Sequence, residues 1–181
     1  MILATHPTVR DLRPLRGPRL VVMAHAEAEN GGERRLSSQG RLQSARAAAN
    51  LARWSQTPTS IVCSPLRRAT ETAEIVSRML GERPLPVRVD SRLDLDQDVG
   101  PAALMRVAAE LTRWREPVLV VTCPLEVELI VCGLCSHRSG RRRSPTEATL
   151  PRGLAPAAMV ALTLSEGYWR IASVLDSRLE L

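Results

Sequence analysis

Lysine is absent from this 181-residue sequence, and so is phenylalanine. All 25 basic residues are arginines, set against 19 acidic ones, for a net charge of +6. A coding bias toward GC-rich codons accounts for an arginine-only set as readily as selection for anion binding does, and charge runs are mostly solvated faces. There are only four aromatics, Trp54, Trp114, Tyr168 and Trp169, and none interleaves with arginines as a base-stacking platform requires, which weighs against nucleic acid. No apolar run approaches the roughly 18 to 20 residues of a membrane span. The opening stretch, MILATHPTVRDLRPLRGPR, has no apolar h-region, so the expectation is a soluble chain with no cleaved signal. Four scattered cysteines make no disulfide framework and fit a reducing compartment, with the cytoplasm as the default.

The length suits one domain with a sizeable core. Short apolar runs alternate with helical patterns. RLVVMA (19–24), SIVCS (60–64), VRVD (87–90) and PVLVVT (117–122) read as strands, the last rich enough in valine to be buried on both faces. Ser37 or Ser38 can cap a helix running to about Trp54, with Leu42, Ala45, Ala49 and Ala52 on a shared face. A second helix runs from about Leu66 to Leu80 and stops at Gly81. A third starts at Gly100-Pro101, and a fourth spans Pro124 to Cys135. MVALTL and YWRIASVL pair as a hairpin across 165–167. The pattern predicts an α/β fold, a mostly parallel sheet with helices on both faces. Residues 1–18, with Arg10, Arg13 and Arg16 among prolines, read as a loose basic arm ahead of one domain over 19–181. SHRSGRRRSPTEATLPRG (136–153) reads as a long basic loop carrying Arg138, Arg141, Arg142, Arg143 and Arg152.

In such sheets ligands sit beyond the carboxyl ends of the strands. VVMAHAEAEN delivers His25 to the end of the first strand, and VLVVTC delivers Cys123 to the end of the fourth. Taken alone, a histidine at a strand end is more often a hydrogen-bonded structural residue, Cys123 a small core residue, and Arg67-Arg68 an ordinary basic helix start.

The order of segments changes that balance. AHAEAEN, then LSSQGRLQSA (36–45), then SPLRRATETA (64–73), then VLVVTCPLEVEL resembles the histidine phosphatase superfamily, the phosphoglycerate-mutase-like fold, and within it the short bacterial phosphohistidine phosphatases. The likeness covers residues 19 to about 175. In that family the first strand ends in Arg-His-Gly or Arg-His-Ala, followed by a Leu-Thr-x-x-Gly helix start and a Ser-Pro-x-x-Arg-Ala-x-x-Thr-Ala segment. The resemblance implies a histidine nucleophile that attacks phosphorus and is freed by water, with two arginines and a second histidine around the phosphoryl oxygens. On this chain it implies His25 as the nucleophile and Arg68 as one phosphate-binding arginine, with Arg67 pointing elsewhere. The other two positions are Ala24 and Cys123, so the implied pocket is degenerate. An alanine methyl offers phosphate nothing in place of a guanidinium fork. A cysteine repels phosphate if it ionises, and a positive site favours that. Arg34 or Arg35 could stand in for the arginine lost at position 24. Asp98 could donate a proton, although a turn or capping role ahead of the third helix suits it better.

Cysteine-based phosphatases set arginine after five intervening residues, where Cys123 has Leu129 and Cys63 has Ala69. Cys132 and Cys135 with His137 mimic metal spacing, but they lie on an apolar helix with no second pair, so no metal or other cofactor is expected. Two functions stand: a pseudophosphatase that binds a phosphorylated small molecule or phosphoprotein, and a working phosphohistidine or phosphomonoester phosphatase. An acidic protein could engage Arg141, Arg142 and Arg143. The sequence does not fix the oligomeric state.

Overall fold

Arg19–Ala24 forms β1 inside a six-stranded sheet, parallel to β4 (Val118–Thr122) on one side and antiparallel to β5 (Met159–Ser165) on the other. The computed structural model describes residues 19–31, 34–54, 57–95, 100–114, 116–135, 150, 153–165 and 168–176. β2 (Ser60–Cys63) and β3 (Val87–Val89) extend the parallel part, and β6 (Tyr168–Leu175) completes the hairpin with β5, giving the order β3-β2-β4-β1-β5-β6. Four strands are thus mutually parallel, and the antiparallel hairpin closes one side.

The valine-rich strands are apolar on both faces because both faces are covered. Val21 and Met23 of β1, with Leu119 and Val121 of β4, pack under α1 (Ser38–Ala52) and α2 (Arg67–Met79). Leu20, Val22 and Ala24, with Val118 and Val120, pack under α3 (Gly100–Leu111) and α4 (Pro124–Cys135). The α/β architecture is as the alternation of runs predicts. β3 ends one residue sooner than expected, its three residues exposed at the sheet edge.

The buried face of α1 differs from the expected one. Gly40, Ser44, Ala47, Ala48 and Leu51 point inward, while Leu42 is 55 % exposed. A helix this rich in alanine offers several faces of nearly equal hydrophobicity, so packing at its start sets the rotation. Ser37 caps α1 by accepting from the Gly40 N–H at 2.9 Å, and its own N–H donates to the Glu27 carbonyl at 3.1 Å. That draws Gly40 against the backbone of Glu27, where any Cβ would collide with the Glu27 carbonyl oxygen. Backbone cannot yield as a side-chain tip can. Gly40→Ala is therefore expected to destabilise the fold by about 1 to 3 kcal/mol, as overpacking does, and to lower the melting temperature. An unchanged melting profile would show that the segment after β1 is free to shift.

The arm over 1–18, most of the basic loop with all five of its arginines, His137 and Asp98 lie outside the described residues. Among the described residues, no helix is long and apolar enough to cross a membrane.

Candidate active site

His25 stands where β1 ends, but its backbone is still held from both sides. Its N–H donates to the Thr122 carbonyl of β4 at 2.8 Å, and its own carbonyl accepts from the Ala157 N–H, just ahead of β5, at 3.1 Å. The ring is fixed next. Nδ1 lies 2.8 Å from the Ala26 carbonyl oxygen, which can only accept, so Nδ1 carries the proton and Nε2 is left with its lone pair. Arg68 Nε donates to that Nε2 at 2.8 Å, and Arg68 Nη2 donates to Cys123 Sγ at 3.2 Å. One guanidinium thus bridges the ends of β1 and β4 from the first turn of α2.

The helix is clasped to the strand end by Thr72. Its hydroxyl donates to the Arg68 carbonyl at 2.7 Å and accepts from the Ala26 N–H at 3.1 Å, so the residue after His25 and the turn bearing Arg68 share one side chain. Arg67 points away, as expected, paired with Glu71 at 2.8 Å; Glu71 also accepts from the Leu36 N–H at 2.9 Å.

Charge and burial set the protonation states. The His25 pKa is lowered from 6.5 to about 4, first by burial and then by the charges of Arg68 and Arg34, against the Ala26 hydrogen bond, which raises it. The imidazole is therefore neutral near pH 7, the form in which it can act as a nucleophile. Since the unfolded chain binds this proton near 6.5 and the folded chain only near 4, stability attributable to His25 is lost as pH falls from about 6.5 to 4 and changes no further below. The loss is on the order of 2 to 3 kcal/mol. An NMR titration of the His25 ring is expected to show its midpoint near 4; a midpoint near 6.5 would mean that the ring is solvated.

Cys123 differs from expectation. Burial, followed by the nearby carboxylate of Glu126, raises its pKa; the bond and charge of Arg68 oppose this, and Asp94 adds to the rise. The thiol is neutral, so the repulsion expected of a thiolate does not arise: desolvation outweighs the single cation. Ala24 is fully buried, its methyl in the apolar cluster on the α3 and α4 side. Burial also pushes Cys63 up, to about 11, which makes it a poor nucleophile. Among the described residues no group of three or more His, Cys, Asp or Glu side chains is arranged to hold a metal.

The structure thus brings His25, Arg68 and Cys123 together, with Ala24 buried beside them. Sequence reasoning gave no role to Thr72, although it lies four residues from Arg68 on the same helical face. It also passed over Asp94 and Glu126, which bear on Cys123. Asp94 comes from the same LDLDQDVG stretch as Asp98, and its burial marks it where sequence could not.

No curated protein matches the chain. Among solved structures it is similar to the mycobacterial glucosyl-3-phosphoglycerate phosphatase, with 22% identity over 88% of this chain and 99% of that one and a TM-score of 0.65. It is similar to the protein histidine phosphatase SixA complexed with tungstate, with 21% identity over 87% and 96% and a TM-score of 0.62. It is also similar to a phosphoserine phosphatase from Entamoeba histolytica in complex with 3-phosphoglyceric acid, with 13% identity over 91% and 100% and a TM-score of 0.60. At these identities the likeness carries the fold. The model of the histidine phosphatase superfamily (branch 1) matches residues 22–136, a span holding His25, Arg68 and Cys123, and the chain belongs to that superfamily.

Proposed function

We propose that this chain is a pseudophosphatase, a protein that binds a phosphorylated ligand at His25 and Arg68 and whose turnover is far below what a full set of preorganised donors supports. One observation carries the reading: the guanidinium of Arg68 is the cation in hydrogen-bond contact with the His25 ring, while Ala24 presents a buried methyl and Cys123 a neutral thiol. Each absent donor of this kind costs about 10² to 10³ in rate. An incoming phosphoryl group takes over the Nε–H that Arg68 gives to His25, so binding and unmasking of the lone pair coincide.

A working phosphatase is the second reading, favoured by the tautomer of His25. Its neutral Nε2 lone pair forms a bond to phosphorus as the ester P–O bond breaks, and the leaving oxygen departs with the bonding pair and takes a proton from water. A second water then attacks phosphorus, the N–P pair returns to Nε2, and the net reaction is ester plus water giving alcohol plus phosphate. The deciding experiment is a time course with p-nitrophenyl phosphate and a phosphohistidine peptide, run on wild type and His25→Ala. Orthophosphate binding with hydrolysis at the level of the blank supports the pseudophosphatase; hydrolysis that vanishes with His25→Ala overturns it in favour of the enzyme.

An acidic protein partner for the basic loop is a separate proposal resting on the charge of Arg141, Arg142 and Arg143. Its binding is expected to weaken as salt rises, since exposed charges are screened within about 8 to 10 Å at 0.10 to 0.15 M ionic strength. Pull-down partners indifferent both to salt and to alanine at these three positions would leave the loop merely solvated.

A further inference from the structure

Two cysteines lie outside the site at the sheet rim. Cys132 and Cys135 sit on the last turn of α4, at the far end of that helix from Pro124 and the Cys123 that precedes it. Cys132 is exposed, whereas Cys135 is half-buried, and the structure holds both as thiols. Cys135 lines a cavity of about 400 Å³, walled by Met105 and Ala109 of α3, Gly133 of α4, and Tyr168 and Trp169 of β6. One thiol thus faces solvent and the other is sheltered within the same helical turn.

Helical spacing brings the two close to bonding distance. Residues three apart on an α-helix have Cα atoms about 5 Å apart, inside the roughly 4.4 to 6.8 Å that a disulfide spans. Their Cβ atoms stand about 5 to 6 Å apart and must close to about 3.5 to 4.5 Å, so the turn has to give by about 1 to 2 Å. The fold says where it gives. Met105 lies against Gly133 in the space a Cβ would take, which pins the helix up to that point and leaves the movement to Leu134 and Cys135. Cys135 is the last residue of α4, where helices fray, and the cavity beside it gives its side chain room to swing.

We propose that Cys132 and Cys135 form a redox-sensitive pair that closes to a disulfide by exchange with a low-molecular-weight disulfide such as oxidised glutathione. The thiolate of exposed Cys132 attacks one glutathione sulfur, and the first glutathione leaves as a thiolate and takes up a proton. Cys135, its proton lost to solvent, then attacks the Cys132 sulfur and expels the second glutathione. Two protein thiols are oxidised to one disulfide, and one glutathione disulfide is reduced to two thiols. Cys-x-x-Cys pairs that catalyse such exchange gain a low thiol pKa, as at a helix amino end. This pair stands at a carboxyl end, where the helix dipole disfavours a thiolate, so it responds to redox poise without acting as a disulfide catalyst. Where thiols are kept reduced, disulfides of this kind are transient and sensing.

The test equilibrates the full chain with mixtures of reduced and oxidised glutathione, quenches in acid, alkylates the remaining thiols in denaturant, and locates the alkyl groups by fragmentation in a mass spectrometer. In the oxidising mixtures of wild type, Cys132 and Cys135 are expected to lose their labels together, their peptide lighter by two hydrogens and without glutathione. Cys63 and Cys123 should stay alkylated, and dithiothreitol should restore the other two. In Cys135→Ser, Cys132 is expected to retain glutathione as a mixed disulfide; in Cys132→Ser, the sheltered Cys135 is expected to stay alkylated. Wild type that carries glutathione on Cys132 while Cys135 is alkylated overturns the proposal, and so does full labelling of both in every mixture. The wild-type pattern decides alone if either serine variant fails to fold.

Discussion

Cys123→His is expected to raise phosphomonoester hydrolysis by about 10² to 10³, the worth of one recovered preorganised donor. The position is already in register, because Cys123 follows β4 directly and its Sγ receives Arg68 Nη2 at 3.2 Å. An imidazole there would replace a neutral thiol with a ring able to donate to a phosphoryl oxygen. The partner repair, Ala24→Arg, meets a harder constraint. Ala24 is fully enclosed in the cluster under α3 and α4, so a guanidinium must displace apolar contacts or lose its own hydration on the way to the pocket. Alone it is expected to lower the melting temperature. In a double variant that still folds by circular dichroism, the combined rate gain should exceed the product of the singles, since donors around one phosphoryl group act as a unit. A folded Cys123→His chain that hydrolyses no faster than its parent, and loses nothing when His25 is then removed, would show that the site has drifted by more than these two residues.

Arg68→Ala is expected to have the largest opposite effect: loss of orthophosphate binding, and a fall of about 10² to 10³ in whatever hydrolysis the wild type shows. Arg68→Lys should recover little. Arg68 uses Nε toward His25 and Nη2 toward Cys123, two donors at a fixed angle, whereas an ammonium is a point charge. The Thr72 hydroxyl, which holds the Arg68 carbonyl, would still clasp α2 to the strand end in both variants, so their melting profiles should stay near wild type. Rates and affinities together check this. A lysine variant equal to wild type would mean that charge alone, without the fork, is what the site needs.

The sheet was legible because every core strand is a short apolar run between turn or helix signals; burial on both faces removes the period-2 alternation, so length, flanks and valine content identify the strands. His25 and Cys123 were legible as rim residues because each follows a strand, β1 and β4, whereas Arg68 and the grouping of the three came from the resemblance of SPLRRATETA and its neighbouring segments to the histidine phosphatase family. The inward face of α1 was not legible, because its five alanines among fifteen residues, with only Leu42 and Leu51 as large apolar side chains, weaken the contrast on which periodicity depends, and the rotation is set by Gly40 meeting the backbone of Glu27. The protonation of Cys123 was misread for a different reason. From sequence one sees the arginine expected beside it but not the depth of burial or the two carboxylates, and those decide the sign.

The placement of β1 between β4 and β5 has a consequence for how the chain reaches its native state. Leu20 pairs with Val118 on one side and with Leu162 on the other, so the strand that carries His25 finds both neighbours only after most of the chain has been laid down. Pairings so distant in sequence incur loop-closure entropy before any contact compensates for it, which makes folding slow and leaves hydrophobic strands uncovered meanwhile. No fragment lacking β4 can hold the His25 backbone, and during synthesis the pocket must assemble late, in one cooperative step with the closing of the sheet.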